Sequence, residues 1–175
     1  ALAHDVQARH GVVDLLVNNA GAYRPGQIAT EDDDALLDML QANLFGAYRL
    51  TRRVLPTMVK RRSGMILNVC STASIAAYPN GGSYSIAKHA LHGFSRNLRE
   101  EMKPHGVRVV ALLPGATLTA SWDGVPLPPE RLMPAEDVAE MAWAAWTMSA
   151  RTVVDDIVMR PQRGDIGEAD FGDVP

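Results

Sequence analysis

Cysteine is almost missing: Cys70 is the only one in 175 residues. No disulfide can form within the chain, which excludes a disulfide-stapled scaffold and suits a reducing cytosol. Charge of one sign is missing too, with 17 Lys and Arg against 20 Asp and Glu and a net charge of −3. Nothing here makes the broad basic field by which proteins hold nucleic acid or anionic lipid. No apolar run approaches the ~18 residues of a membrane helix, and no charged-then-apolar leader is visible. Glycine (14) and proline (11) are too few for collagen or low-complexity disorder. There are no internal repeats. With 47% hydrophobic residues, the expectation is a soluble, cytoplasmic protein in which residues 1–175 form one domain.

What is present alternates between two patterns. Residues 1–10 read as the end of an amphipathic helix stopped at Gly11. Val12–Val17 (VVDLLV) is a nearly continuous apolar run, as expected of a strand covered on both faces. A long helix is predicted over 32–62, acidic at its start (Glu31 to Asp34) and basic at its end (Lys60 to Arg62), a polarity that complements the helix dipole. Met65–Val69 (MILNV) is a second buried strand, and Tyr84–Met102 has helical periodicity ended by Pro104 and Gly106. Val107–Leu113 is a third strand, 123–134 a proline-rich loop, 134–148 a helix and 152–159 a fourth strand. Residues 164–175 read as a loose acidic tail. This alternation predicts an α/β fold, a doubly wound parallel sheet with helices on both faces. Ligands in such sheets bind beyond the carboxyl ends of the strands, so the chemistry is sought just after Val17, Val69 and Leu113.

Those three loops hold Asn18-Asn19-Ala20-Gly21, Cys70-Ser71-Thr72 and Pro114-Gly115-Ala116-Thr117-Leu118-Thr119. The helix after the second strand opens with Tyr84-Ser85-Ile86-Ala87-Lys88. Tyr84 and Lys88 stand at i and i+4 and share a helix face. A cation beside a phenol favours the phenolate and lowers its pKa, and a phenol so tuned exchanges protons with a carbonyl or hydroxyl oxygen. A serine at the preceding strand end would hold that oxygen. Taken alone, the Tyr-x-x-x-Lys spacing reads more readily as a surface helix with a half-buried tyrosine.

Taken together, the pieces resemble the short-chain dehydrogenase/reductase family along nearly the whole chain. They occur in that family's order: NNAG at 18–21, Asn43 within NLFG, Ser71 after ILNV, YSIAK at 84–88, and Pro114-Gly115 with Thr119 behind. The resemblance implies a Rossmann-like fold and hydride transfer between NAD or NADP and a small or medium carbonyl or alcohol substrate. It implies Tyr84 as general acid or base and Lys88 as its tuning cation and as holder of the nicotinamide ribose. It further implies Ser71 as the polariser of the substrate oxygen and Asn43 as the anchor of a relay water. Asn18, Ala20 and Gly21 would line the adenosine side of the cofactor, while Pro114, Gly115, Thr117 and Thr119 would contact its nicotinamide end. A homodimer or homotetramer through helices 32–62 and 84–103 is also implied.

The same resemblance marks a gap. No glycine-rich phosphate loop occurs in these residues, nor do the first strands and helices that the family places before NNAG. The chain opens about where the third crossover helix would end, and continuation upstream is the expectation. The rival reading is a non-catalytic, truncated nucleotide-fold module. The epimerase/dehydratase branch shares Tyr-x-x-x-Lys but carries a larger substrate domain than the residues after Gly115 allow. The stretch 153–162 loosely resembles the end of small hydroxy-acid or serine-type dehydrogenases. Cys70 is expected to be a small buried residue, and His89 with His92 lacks a third ligand for a metal. Tyr23, Tyr78 and Trp122 are either pocket walls or core plugs.

Overall fold

The computed structural model describes residues 2–171. Nine principal elements follow in order: α1 (Leu2–His10), β1 (Leu15–Asn18), α2 (Ala35–Leu40), α3 (Gly46–Arg61), β2 (Met65–Val69), α4 (Gly82–Met102), β3 (Arg108–Pro114), α5 (Ala135–Thr147) and β4 (Asp156–Met159). The four strands form one parallel sheet in the order β1-β2-β3-β4. Helices cover both faces, as the apolar strand runs require. Ile66 and Val109 pack with Val54 and Met58 of α3 and Leu98 and Met102 of α4. From the opposite face, Met65, Leu67, Val110 and Leu112 meet Ala145 of α5. The inner strands are sealed on both sides: Ile66, Leu67, Val109 and Val110 are all 0% exposed.

The edges differ from expectation, each for a local reason. Strand β1 starts at Leu15 rather than Val12: Asp14 still accepts the Met65 amide hydrogen at 2.9 Å, but the residues before Leu15 are also bound by Arg61. Arg61 donates to the Val13 carbonyl at 3.0 Å and pairs with Asp14 at 2.7 Å. Strand β4 starts at Asp156 rather than Thr152, since Thr152 closes a turn onto the Ser149 carbonyl. The long helix expected over 32–62 begins at Ala35 and opens into a π-helical stretch, Gln41–Phe45, before α3 resumes the α-helix. Asn43 lies in that stretch, and π-turns inside helices are often found at functional sites.

The segment expected as a loose tail is tied down as far as Asp170. Arg131, 5% exposed, donates to the carbonyls of Gly164 and Asp165 at 2.9 Å each and pairs with the Asp170 carboxylate. Hydrogen bonds from Arg131, then from the Gly167 amide, hold the Asp170 carboxyl down at about 2. Residues 172–175 lie outside the described residues. Among the described residues, no helix is long and apolar enough to cross a membrane.

Candidate active site

The carboxyl end of β2 and the first turns of α4 bring Ser71, Tyr84 and Lys88 together. Just past β2, Ser71 has extended backbone, and its hydroxyl accepts the Ala73 amide hydrogen at 3.1 Å. In return the Ser71 amide donates to the Ser74 hydroxyl at 3.2 Å. This reciprocal cap fixes the serine at the strand end. Lys88, 6% exposed, spans from α4 back to β2, where Nζ donates to the Val69 carbonyl at 3.0 Å. The same Nζ sits 5.8 Å from the centroid of the Tyr84 ring.

Burial dominates the electrostatics of the pair. Burial raises the Tyr84 phenol above its ordinary value, although the neighbouring Ser71 hydroxyl pulls it down. Lys88 is not among the groups that shift it here. Nζ stands 5.8 Å from the ring centroid, and burial lowers the Lys88 pKa from its ordinary value. Tyr84 therefore stands as a protonated phenol at neutral pH. Cys70, next to Ser71, is 2% exposed, and burial pushes its thiol up to about 11. A thiol held that high is no nucleophile.

Asn43 faces the loop after β1 and clamps its backbone. Its Nδ2 donates to the carbonyls of Ala22 and Met39 at 3.0 Å each, and its Oδ1 accepts from the Ala22 amide at 3.3 Å. Gly21 lies between Asn43 and Lys88: a Cβ there would stand 2.7 Å from Asn43 Oδ1 and 3.5 Å from Lys88 Nζ. Only glycine fits that gap. Asn18 is 7% exposed, and its amide nitrogen donates to Asn68 Oδ1 at 2.8 Å and Thr51 Oγ1 at 3.1 Å. Its side chain thus braces the sheet, while the exposed Ala20 and Gly21 remain beside it. A cavity of about 750 Å³ runs along Val17, Asn18, Asn19 and Ala20. At the end of β3, Gly115 donates to the Met159 carbonyl at 2.8 Å and Thr117 donates to the Gly115 carbonyl at 3.0 Å. Pro114 pairs with Met159 in the sheet, and Thr119 is exposed just before a short 3₁₀ turn.

Two of the aromatic residues read as either pocket walls or core plugs join this set. Tyr23 packs edge-on against Tyr84, with ring centroids 4.9 Å apart. Tyr78 neighbours both rings, and burial beside them raises its phenol. Tyr23 and Tyr78 are 42% and 40% exposed, so they wall the site rather than plug the core. Glu31, read as part of an acidic helix start, instead reaches the first turn of α4, where it accepts hydrogen bonds from Ser83. Only its carboxyl character was visible in the sequence, because its partner lies 52 positions away. Among the described residues, no cluster of His, Cys, Asp or Glu is placed to hold a metal ion.

Comparison with known proteins places the chain in a family. Residues 1–126 match the profile of the short chain dehydrogenases. The chain belongs to that family. Its relatives within it include a sepiapterin reductase of Chlorobaculum tepidum, 31% identical over 94% of this chain and 68% of the relative. They also include a putative ketoacyl reductase of Streptomyces coelicolor, 40% identical over 66% of this chain and 45% of the relative. This short-chain dehydrogenase thus spans about two thirds of the first relative and less than half of the second. Its fold matches that of a metagenomic short-chain oxidoreductase solved in complex with NADP, with a TM-score of 0.75, 28% identity, and coverage of 92% of this chain and 67% of that one.

Proposed function

We propose that the protein is an NAD(P)-dependent oxidoreductase that reduces small or medium carbonyl compounds, or oxidises the corresponding alcohols, with Tyr84 as the proton-transfer residue. The observation that carries this reading is the convergence of Ser71, Tyr84 and Lys88 at the carboxyl end of β2. Residues 1–175 are read as one domain, the carboxyl-terminal portion of a dinucleotide-binding fold, working in the cytoplasm as a homodimer or homotetramer.

The residues present fit the nicotinamide-ribose end of such a cofactor. Lys88 Nζ carries three donors and makes one hydrogen bond among the described residues, to Val69. Two donors are left for ribose hydroxyls. Gly21, exposed beside Ala20, offers backbone without a side chain of its own. Pro114, Gly115, Thr117 and Thr119 form the turn that would face the nicotinamide. No glycine-rich turn that would cradle a diphosphate occurs in the 175 residues, so the fit concerns that end alone. NAD and NADP are equally compatible with it.

The bound cofactor supplies or accepts the hydride. The protein then has to orient the carbonyl and move one proton. Tyr84, kept protonated by burial, donates from its hydroxyl to the carbonyl oxygen as negative charge builds on it. Ser71, fixed by its cap, donates a hydrogen bond to the same oxygen and holds it in line. Asn43 and Lys88, both beside Gly21, are read as the residues of a water relay that would return the proton to Tyr84.

Tyr84→Phe tests the reading. In the complete protein, turnover should fall by about 10²–10⁴-fold, the usual worth of a positioned general acid. Cofactor affinity, followed by quenching or enhancement of NADH and NADPH fluorescence, should stay close to wild type. A variant that keeps its turnover overturns the assignment.

A further inference from the structure

The loop after β1 reaches the catalytic helix at more than one point. Besides Tyr23 on Tyr84, Gly26 donates to the Asn80 carbonyl at 3.0 Å and Gln27 Nε2 donates to Asn80 Oδ1 at 3.0 Å. The tightest contact is Glu31. Its carboxylate accepts the Ser83 amide hydrogen at 3.0 Å and 3.2 Å on its two oxygens, and the Ser83 hydroxyl donates to it at 2.6 Å. These bonds hold the Glu31 carboxyl below its ordinary value.

This first turn needs an outside partner. The residue before α4 is Gly81, which has no side chain with which to cap the free amides of the turn. Glu31 supplies the cap from 52 positions upstream. The fit leaves no spare room. Gly82 has φ +40, and a Cβ on it would strike the Glu31 carboxylate and stand 2.6 Å from the Gly26 carbonyl. A Cβ on Gly26 would strike the same carboxylate. Ser83 itself is 3% exposed, and Tyr84 is the next residue.

We propose that Glu31 is a positioning residue for Tyr84: by binding the amide and hydroxyl of Ser83, it fixes the first turn of α4 and so sets where the phenol meets the substrate oxygen. This inference rests on Tyr84 acting as the proton-transfer residue. A reacting group displaced by ~1 Å can lose about 10²-fold in rate, so a modest fraying of this turn is felt in turnover before it is felt in stability.

The test uses Glu31→Ala, Glu31→Gln and Ser83→Ala in the complete protein, beside Tyr84→Phe. Two quantities are read: steady-state reduction of 9,10-phenanthrenequinone with NADPH and with NADH, and amide hydrogen exchange over residues 82–88. Glu31→Ala should lower kcat by about 10- to 100-fold with KM for the quinone nearly unchanged, and should speed exchange at Ser83 and Tyr84. Glu31→Gln keeps an acceptor oxygen and should restore most of both. Ser83→Ala removes one of the bonds and should fall between. The proposal is overturned if Glu31→Ala leaves kcat within about twofold of wild type, or if Glu31→Gln is as slow as Glu31→Ala while exchange is unchanged. Should Glu31→Ala not fold, the Gln and Ser83 variants decide on the same two readouts. The controls separate two failures. Turnover retained in Tyr84→Phe removes the reading of Tyr84 itself, whereas an inactive Tyr84→Phe beside fully active Glu31 variants removes only the role of Glu31.

Discussion

The two ends of α4 are held by different means. From Leu91 onward the helix is gripped from within: Leu91, Leu98 and Met102 lie in the core clusters. Ser95 receives the Asn68 amide at 2.8 Å, and Arg99 donates to the Val109 carbonyl at 2.9 Å. His92 and Arg99 both reach Asp156, at 2.9 Å and 3.0 Å. The first turn is held from outside the core. Polar contacts from a distant loop hold it, and its tyrosine leans on an exposed ring. Core packing and long-range polar contact are thus segregated along one helix. The end that would admit a ligand depends on a few replaceable hydrogen bonds, and low local stability is expected in just such places.

Substitutions can break that contrast or sharpen it. The largest stability effect is expected at the gripped end: Leu98→Ala should lower the free energy of unfolding by about 2–5 kcal/mol, while kcat per folded molecule stays near wild type. Denaturant titration combined with an activity assay would show it, and a collapse of kcat in fully folded protein would erase the contrast. Asn68→Ala should cost less, about 1–3 kcal/mol, because it leaves the Ser95 hydroxyl and part of the Asn18 amide without their partner.

Cys70 lies against Leu91, at the junction of the two halves. With its thiol raised to about 11 and 2% exposed, it should resist iodoacetamide at neutral pH until denaturant is added. Rapid labelling of the native protein would show that the junction opens. The smallest expected effect is at acid pH. Burial raises the Asp156 carboxyl, but the hydrogen bonds from His92 and Arg99 outweigh it and hold the group below its ordinary value. A carboxyl so depressed contributes stability above its unfolded pKa, near ~4, and loses it as pH falls through the folded value. Melting temperature should therefore drop below about pH 4 in wild type and less steeply in Asp156→Asn.

Much of the fold was legible because its interior is simple. MILNV and VRVVALL are apolar at nearly every position, and both became strands sealed on two faces. The edges were less legible. Polar partners far along the chain bind the residues where pairing begins, as when Arg61 takes the Val13 carbonyl. Of the candidate site, Ser71, Tyr84 and Lys88 could be named from spacing and family order, and the structure brings them together. Their electrostatics were less legible: the i,i+4 spacing suggested a lowered phenol, whereas burial raises it. Nor could Glu31 be found, since capping across 52 positions leaves no local pattern. The π-helical stretch that carries Asn43 has no periodic signature either.

Asn18 and Asn68 are paired neighbours in the parallel register of β1 and β2, and their amides meet at 2.8 Å inside the core. Sliding β1 by one residue would turn Asn18 to the other face, and sliding it by two would set its amide against the aliphatic Ile66. Either slip strands a buried amide. The pair therefore works as a key that keeps the strands in phase, and with them the two loops that leave their carboxyl ends. A designer who wanted to repack this core would have to replace Asn18, Asn68 and Ser95 together, because each answers the others' hydrogen-bonding needs.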